Sequence, residues 1–109
     1  MSGPAQKQAP DSLAEVWQEL IRQDVKWGEQ NHPDGTGGDK AWREAQHARA
    51  ACDDAHARGE DTWRLILAEE VAEAFAEGDV RKLRAELLQV AAVAVQWVEA
   101  IDRRTAGAS

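Results

Sequence analysis

Apolar residues recur at helical spacing in four stretches of the chain and nowhere alternate at strand spacing, so the pattern predicts an all-α fold. In the first stretch Leu13, Val16, Trp17, Leu20 and Ile21 share one helix face, predicted from Ser12 to about Trp27 or Gln30. Ser12 with Glu15 three residues on has the spacing of a capping box, which would start that helix. "NHPDGTGGD", residues 31–39, then breaks the pattern with three glycines and a proline, and reads as a mobile lid or a connector. A second helix, about Lys40 to Arg58, is alanine-rich with Trp42 its only large apolar residue, and Gly59 stops it. Such a helix packs either closely or at the periphery. Asp61 or Thr62 caps a third helix ending at Gly78, and Asp79 at once caps a fourth, about Val80 to Arg104 and roughly 37 Å long. The tight "EGD" link makes the last two an antiparallel hairpin.

Within the fourth helix, "AELLQVAAVAVQWVEA" (residues 85–100) is almost wholly apolar from Leu87 to Val98, with only Gln89 and Gln96 interrupting. A helix apolar nearly all the way round needs neighbours on every side, more than three short helices supply. The pattern therefore predicts a homo-oligomeric bundle with this helix at its centre. Glu86 stands at the head of the run, on the face of Val90, Val93, Trp97 and Ala100. A carboxylate in such a setting needs a basic side chain, a hydrogen-bond network or a metal ion. Lys82, one turn earlier, is the simplest basic partner.

At 109 residues and 12.0 kDa the chain is long enough for one domain with a modest core. We expect a single all-α domain over residues 12–104, between disordered tails at 1–11 and 105–109. No apolar run reaches the about 18 residues that span a bilayer, and "MSGPAQKQAP" lacks the apolar centre of a secretory signal. The single cysteine, Cys52, excludes an intramolecular disulfide and fits a reducing cytoplasm. A net charge of −7 without a basic stripe argues against binding nucleic acid through its backbone. The acidic balance suits divalent cations and plain solubility alike.

The acidic residues are not scattered. "AEEVAEAFAEG" places Glu69, Glu70, Glu73 and Glu77 on one arc of about 100° of the third helix. Folding the hairpin at Gly78 sets Glu70 opposite Glu86, since each lies eight residues from the turn. Glu73 follows Glu70 by three positions, and Gln89 follows Glu86 by three. Three carboxylates and an amide oxygen thus converge, a hard-oxygen set suited to Mg²⁺ or Mn²⁺. The competing reading is a solvated acidic face, with Glu86 paired to Lys82.

Glu70-x-x-Glu73, twelve residues, then Glu86-x-x-Gln89 resembles the ExxE…ExxD signature of the all-α nucleoside triphosphate pyrophosphohydrolases, the MazG-like group, over about residues 62–104. A second stretch, "RQDVKWGEQNHPDGTG" (22–37), is similar to the N-terminal part of a subset of small MazG-like proteins. The resemblance implies a four-helix, Mg²⁺-dependent enzyme, active as a dimer or dimer of dimers. Its activity would cleave an NTP or dNTP to the monophosphate and pyrophosphate. It further implies that Glu70, Glu73 and Glu86 hold the metal and that Glu69 accepts a proton from the attacking water. The chain departs from the signature at Gln89, where the motif has aspartate; an amide oxygen still ligates, with one formal charge fewer. The alternative is a non-catalytic helical nucleotide-binding or scaffolding protein that keeps the fold.

Weaker candidates surround this set. Lys26, Trp27, Gln30 and His32 lead into the glycine-rich loop, where Trp27 is a candidate to stack on a base and Lys26 to meet a phosphate. Lys82 and Arg84 are further phosphate candidates. "PDGTGG" is neither a P-loop nor an EF-hand. Cys52 and His56 have the i, i+4 spacing of zinc ligands, but two ligands are too few for a structural site.

Overall fold

The computed structural model describes residues 10–107, which form four α-helices and no strands. These are α1 (Asp11–Trp27), α2 (Asp39–Ala57), α3 (Trp63–Ala76) and α4 (Val80–Gly107). None of them is long and apolar enough to cross a membrane. The chain divides into two compact units, one running from Pro33 to Trp97 and the other combining residues up to His32 with those from Val98 onward. The expected tail at 1–11 falls largely outside the described residues. At the other end α4 continues past Arg104 to Gly107, so residues 105–107 are helical where a tail was expected.

In the first unit the start of α1 differs from the expected capping box. Pro10 occupies the cap position with extended backbone, its carbonyl accepts the Leu13 N–H at 3.0 Å, and no side chain caps the helix. Ser12 lies inside the first turn, buried, its hydroxyl without a hydrogen-bond partner among the described residues. Pro10 fits because proline has no N–H to lose at a helix entry, and Asp11 places a negative charge at the positive end of the helix dipole. At the far end Gly28 takes a positive φ of 70° and donates its N–H to the Asp24 carbonyl, so the helix stops at Trp27. Leu13, Val16, Trp17, Leu20 and Ile21 remain exposed.

The second unit is built on small residues. Its buried apolar side chains are Ala45, Ala55, Ala74 and Leu83. Small buried side chains on both helices, Ala45 and Ala55 on α2 and Ala74 on α3, suit close packing, and α2 and α3 pack against each other in antiparallel sense. Between them Gly59 adopts a left-handed φ of 69°, and Thr62 caps α3 by accepting the Leu65 N–H at 3.1 Å. Asp79 caps α4, its Oδ1 accepting the N–H groups of Arg81 and Lys82 at 2.9 and 3.3 Å. The glycine-rich loop is anchored at its second half. Thr36 donates its hydroxyl to the Glu77 carbonyl at 2.7 Å, and Gly37 donates its N–H to the Phe75 carbonyl at 2.8 Å. Glycine suits position 37 because its φ of 90° is one that side-chain-bearing residues rarely adopt.

The Asp79 cap secures the helix that carries Glu86. Asp79→Ala should lower unfolding stability by about 1 kcal/mol in urea titration, with Glu77→Ala, whose carboxylate accepts the Asp79 N–H, costing less.

Candidate metal centre

The hairpin brings the acidic side chains together as the register predicts. Glu70 and Glu73 sit one turn apart on α3, and Glu86 comes in from the first part of α4. One carboxylate oxygen from each lies within 4.8 Å of the others, and all three residues are half-buried. Gln89 occupies the next turn of α4 and is exposed.

The three carboxylates are satisfied unequally. Glu73 Oε1 accepts a hydrogen bond from the Arg49 guanidinium at 3.1 Å, across from α2. Glu70 Oε2 and Glu86 Oε2 are shielded from solvent and have no hydrogen-bond partner among the described residues. Lys82 makes no ion pair with Glu86 among those residues, so the simplest basic partner is not used. Shielded oxygens of this kind cost about 1–3 kcal/mol each when nothing meets them, and more when charged. Burial pushes the Glu70 carboxyl above its ordinary value, and the charges of Glu73, Glu86 and Glu69 push it further the same way. Three carboxylates this close together form a set of hard oxygen ligands that could hold a metal ion.

The neighbouring residues take distinct places. Glu69 is half-buried on α3 and accepts a hydrogen bond from the Cys52 thiol, which this contact and burial push up to about 11. His56 turns instead to Asp61, with Nδ1 3.1 Å from Oδ2, so Cys52 and His56 do not converge. Lys82 and Arg84 are exposed on the first turns of α4. Lys26, Trp27 and Gln30 belong to the other unit. There the Lys26 ammonium stands 4.8 Å over the Trp27 ring, a cation–π contact, and Gln30 Oε1 lies 3.1 Å from His32 Nε2. Arg49 is the one contributor to the cluster that sequence reasoning did not single out. Its register was readable, since Arg49 and Glu73 lie equally far from Asp61 in the α2–α3 turn.

The raised Glu70 carboxyl fixes the sign of a pH effect. The folded chain holds this proton more readily than the unfolded one, so Glu70 lowers stability as pH rises through the range above the ordinary carboxylate value. In chelator, thermal melts from about pH 4 to 8 should show Glu70→Gln gaining on the unaltered chain as pH rises and then levelling off. A constant difference would mean the carboxyl is not perturbed. Compared with known proteins, the chain matches no family model, no curated protein and no solved structure.

Proposed function

We propose that the chain is a Mg²⁺-dependent nucleotide pyrophosphohydrolase that cleaves an NTP or dNTP to the monophosphate and pyrophosphate. The observation that carries this reading is the Glu70–Glu73–Glu86 cluster, whose ligand atoms lie within 4.8 Å of one another, together with the shielded Oε2 atoms of Glu70 and Glu86, which have no hydrogen-bond partner among the described residues. The resemblance of Glu70-x-x-Glu73…Glu86-x-x-Gln89 to the MazG-like signature supplies the reaction type.

A divalent ion held here would supply charge to neutralise phosphate oxygens and to acidify water. The chain's own residues do the rest. Glu70, Glu73 and Glu86 would hold the cation from two helices joined by a three-residue turn, with the Gln89 amide oxygen one turn beyond. Glu69, next to Glu70 and already accepting a hydrogen from Cys52, serves as the proton acceptor for the attacking water. Lys82, exposed on the first turn of α4, binds the nucleotide's phosphates.

Self-association belongs to the same reading. Leu87, Leu88, Val98 and Ile101 along α4 are exposed, two of them by about half (Leu87 49%, Leu88 57%). Apolar side chains repeated along one long helix are the surface that a second copy covers. A dimer or dimer of dimers is therefore the expected form. A second reading has one observation in its favour: Gln89 is uncharged and exposed, which suits a nucleotide-binding or scaffolding protein that has given up turnover.

A panel of NTPs and dNTPs with Mg²⁺ or Mn²⁺, scored for pyrophosphate release, separates the two; nucleotide binding without turnover selects the second. If the enzyme reading holds, Glu86→Gln should reduce turnover by at least about a hundredfold, the scale of losing more than 2.7 kcal/mol of transition-state stabilisation, while helicity is kept. Full activity in that variant removes Glu86 from the site. Sedimentation at micromolar concentration should give a dimer or larger species, and a 12.0 kDa particle would contradict the proposed assembly.

A further inference from the structure

Arg49 reaches the acidic cluster from α2, a helix otherwise made of small and solvent-facing residues. Its Nη2 donates to Glu73 Oε1 at 3.1 Å, between residues 24 positions apart in the chain. The pair is lopsided in exposure: the Glu73 side chain is 22% exposed, whereas that of Arg49 is 57% exposed. Glu73 is therefore held in place by a cation that itself remains open to solvent. The charges facing the guanidinium are Glu73 first, then Glu69 and Asp53, all acidic. No other basic group meets the cluster among the described residues, and the two shielded oxygens of Glu70 and Glu86 are left without a partner.

Formal charge makes the arrangement specific. Three carboxylates and one guanidinium leave two negative charges, which one divalent cation balances. Once that cation engages Glu73 it takes over the direct contact from Arg49, and the one negative charge then left on the three carboxylates keeps the guanidinium at the edge of the cluster. A guanidinium stays charged throughout, so it changes partners without transferring a proton. Released at the solvent-facing edge of the cluster, it offers a planar fork of donors that matches a phosphate bidentately.

We propose that Arg49 is a resident counter-cation that holds Glu73 until a divalent ion binds, competes with that ion for the carboxylate, and then binds the nucleotide's phosphate chain. The inference rests on the pyrophosphohydrolase reading of the site. It makes Arg49 a substrate-binding residue and couples cation loading to substrate capture: the ion frees the arginine, and the phosphates give the arginine a new partner.

Arg49→Met removes the charge and keeps the aliphatic stem; Arg49→Lys keeps the charge and loses the fork. Mn²⁺ binding is measured by calorimetry without nucleotide, alongside thermal melts with and without Mn²⁺ and steady-state kinetics. Arg49→Met should bind Mn²⁺ several-fold more tightly, melt lower than the unaltered chain in chelator, and gain more from Mn²⁺. Its KM for nucleotide should rise about tenfold, with kcat changing less, the size of one lost charge-assisted hydrogen bond (1.4 kcal/mol is tenfold). Arg49→Lys should bind Mn²⁺ like the unaltered chain with KM in between, and it carries the test if Arg49→Met does not fold; a Lys variant with unaltered KM then overturns the proposal. Mn²⁺ affinity unchanged or weakened in Arg49→Met makes the arginine purely structural and also overturns it. If the unaltered chain binds no Mn²⁺ at all, the metal reading itself fails, and the inference falls with it.

Discussion

Like charges one helical turn apart repel by a few tenths of a kcal/mol on an exposed surface, and by more where their oxygens are cut off from water. Glu70 and Glu73 are spaced in this way on α3, and α4 adds Glu86 to them. The cluster persists because covalent geometry leaves it little choice. Three residues separate the helices, and both sides of the turn are fastened: Thr36 and Gly37 bond to the last carbonyls of α3, and Asp79 caps the first N–H groups of α4. The hairpin thus enforces a convergence that electrostatics opposes, and the raised Glu70 carboxyl records that opposition.

The helix α2 acts on the same cluster by being thin. Ala45 and Ala55 are buried where larger side chains would hold α2 away from α3. Close approach lets Arg49 reach Glu73 and Cys52 reach Glu69. The alanine-rich composition that made this helix look featureless is therefore the condition for its two polar contacts.

The elements were legible where local chemistry decides them. Thr62 and Asp79 cap the helices they precede, Gly59 ends the helix before it, and counting from Gly78 set Glu70 against Glu86. Local chemistry misled at Ser12, where a capping-box spacing lost to Pro10 as the entry residue. The Arg49–Glu73 contact was not found because it depends on how closely two helices pack. Periodicity along one helix reports which face is apolar, and leaves the partner across the gap unspecified. The glycine-rich loop was likewise ambiguous: its glycines allow mobility, and only the Phe75 and Glu77 carbonyls reveal that its second half is tied down.

Cys52 carries a consequence for the kind of cation this neighbourhood tolerates. Its thiol, pushed up to about 11 by the Glu69 carboxylate and by burial, keeps its proton at neutral pH. Zinc and copper(I) seek the thiolate, and here the sulfur presents a hydrogen instead. Oxidants and alkylating agents, which the thiolate rather than the thiol attacks, meet the same obstacle. A soft ion entering this neighbourhood therefore has to displace a proton that a hard, oxygen-seeking ion does not.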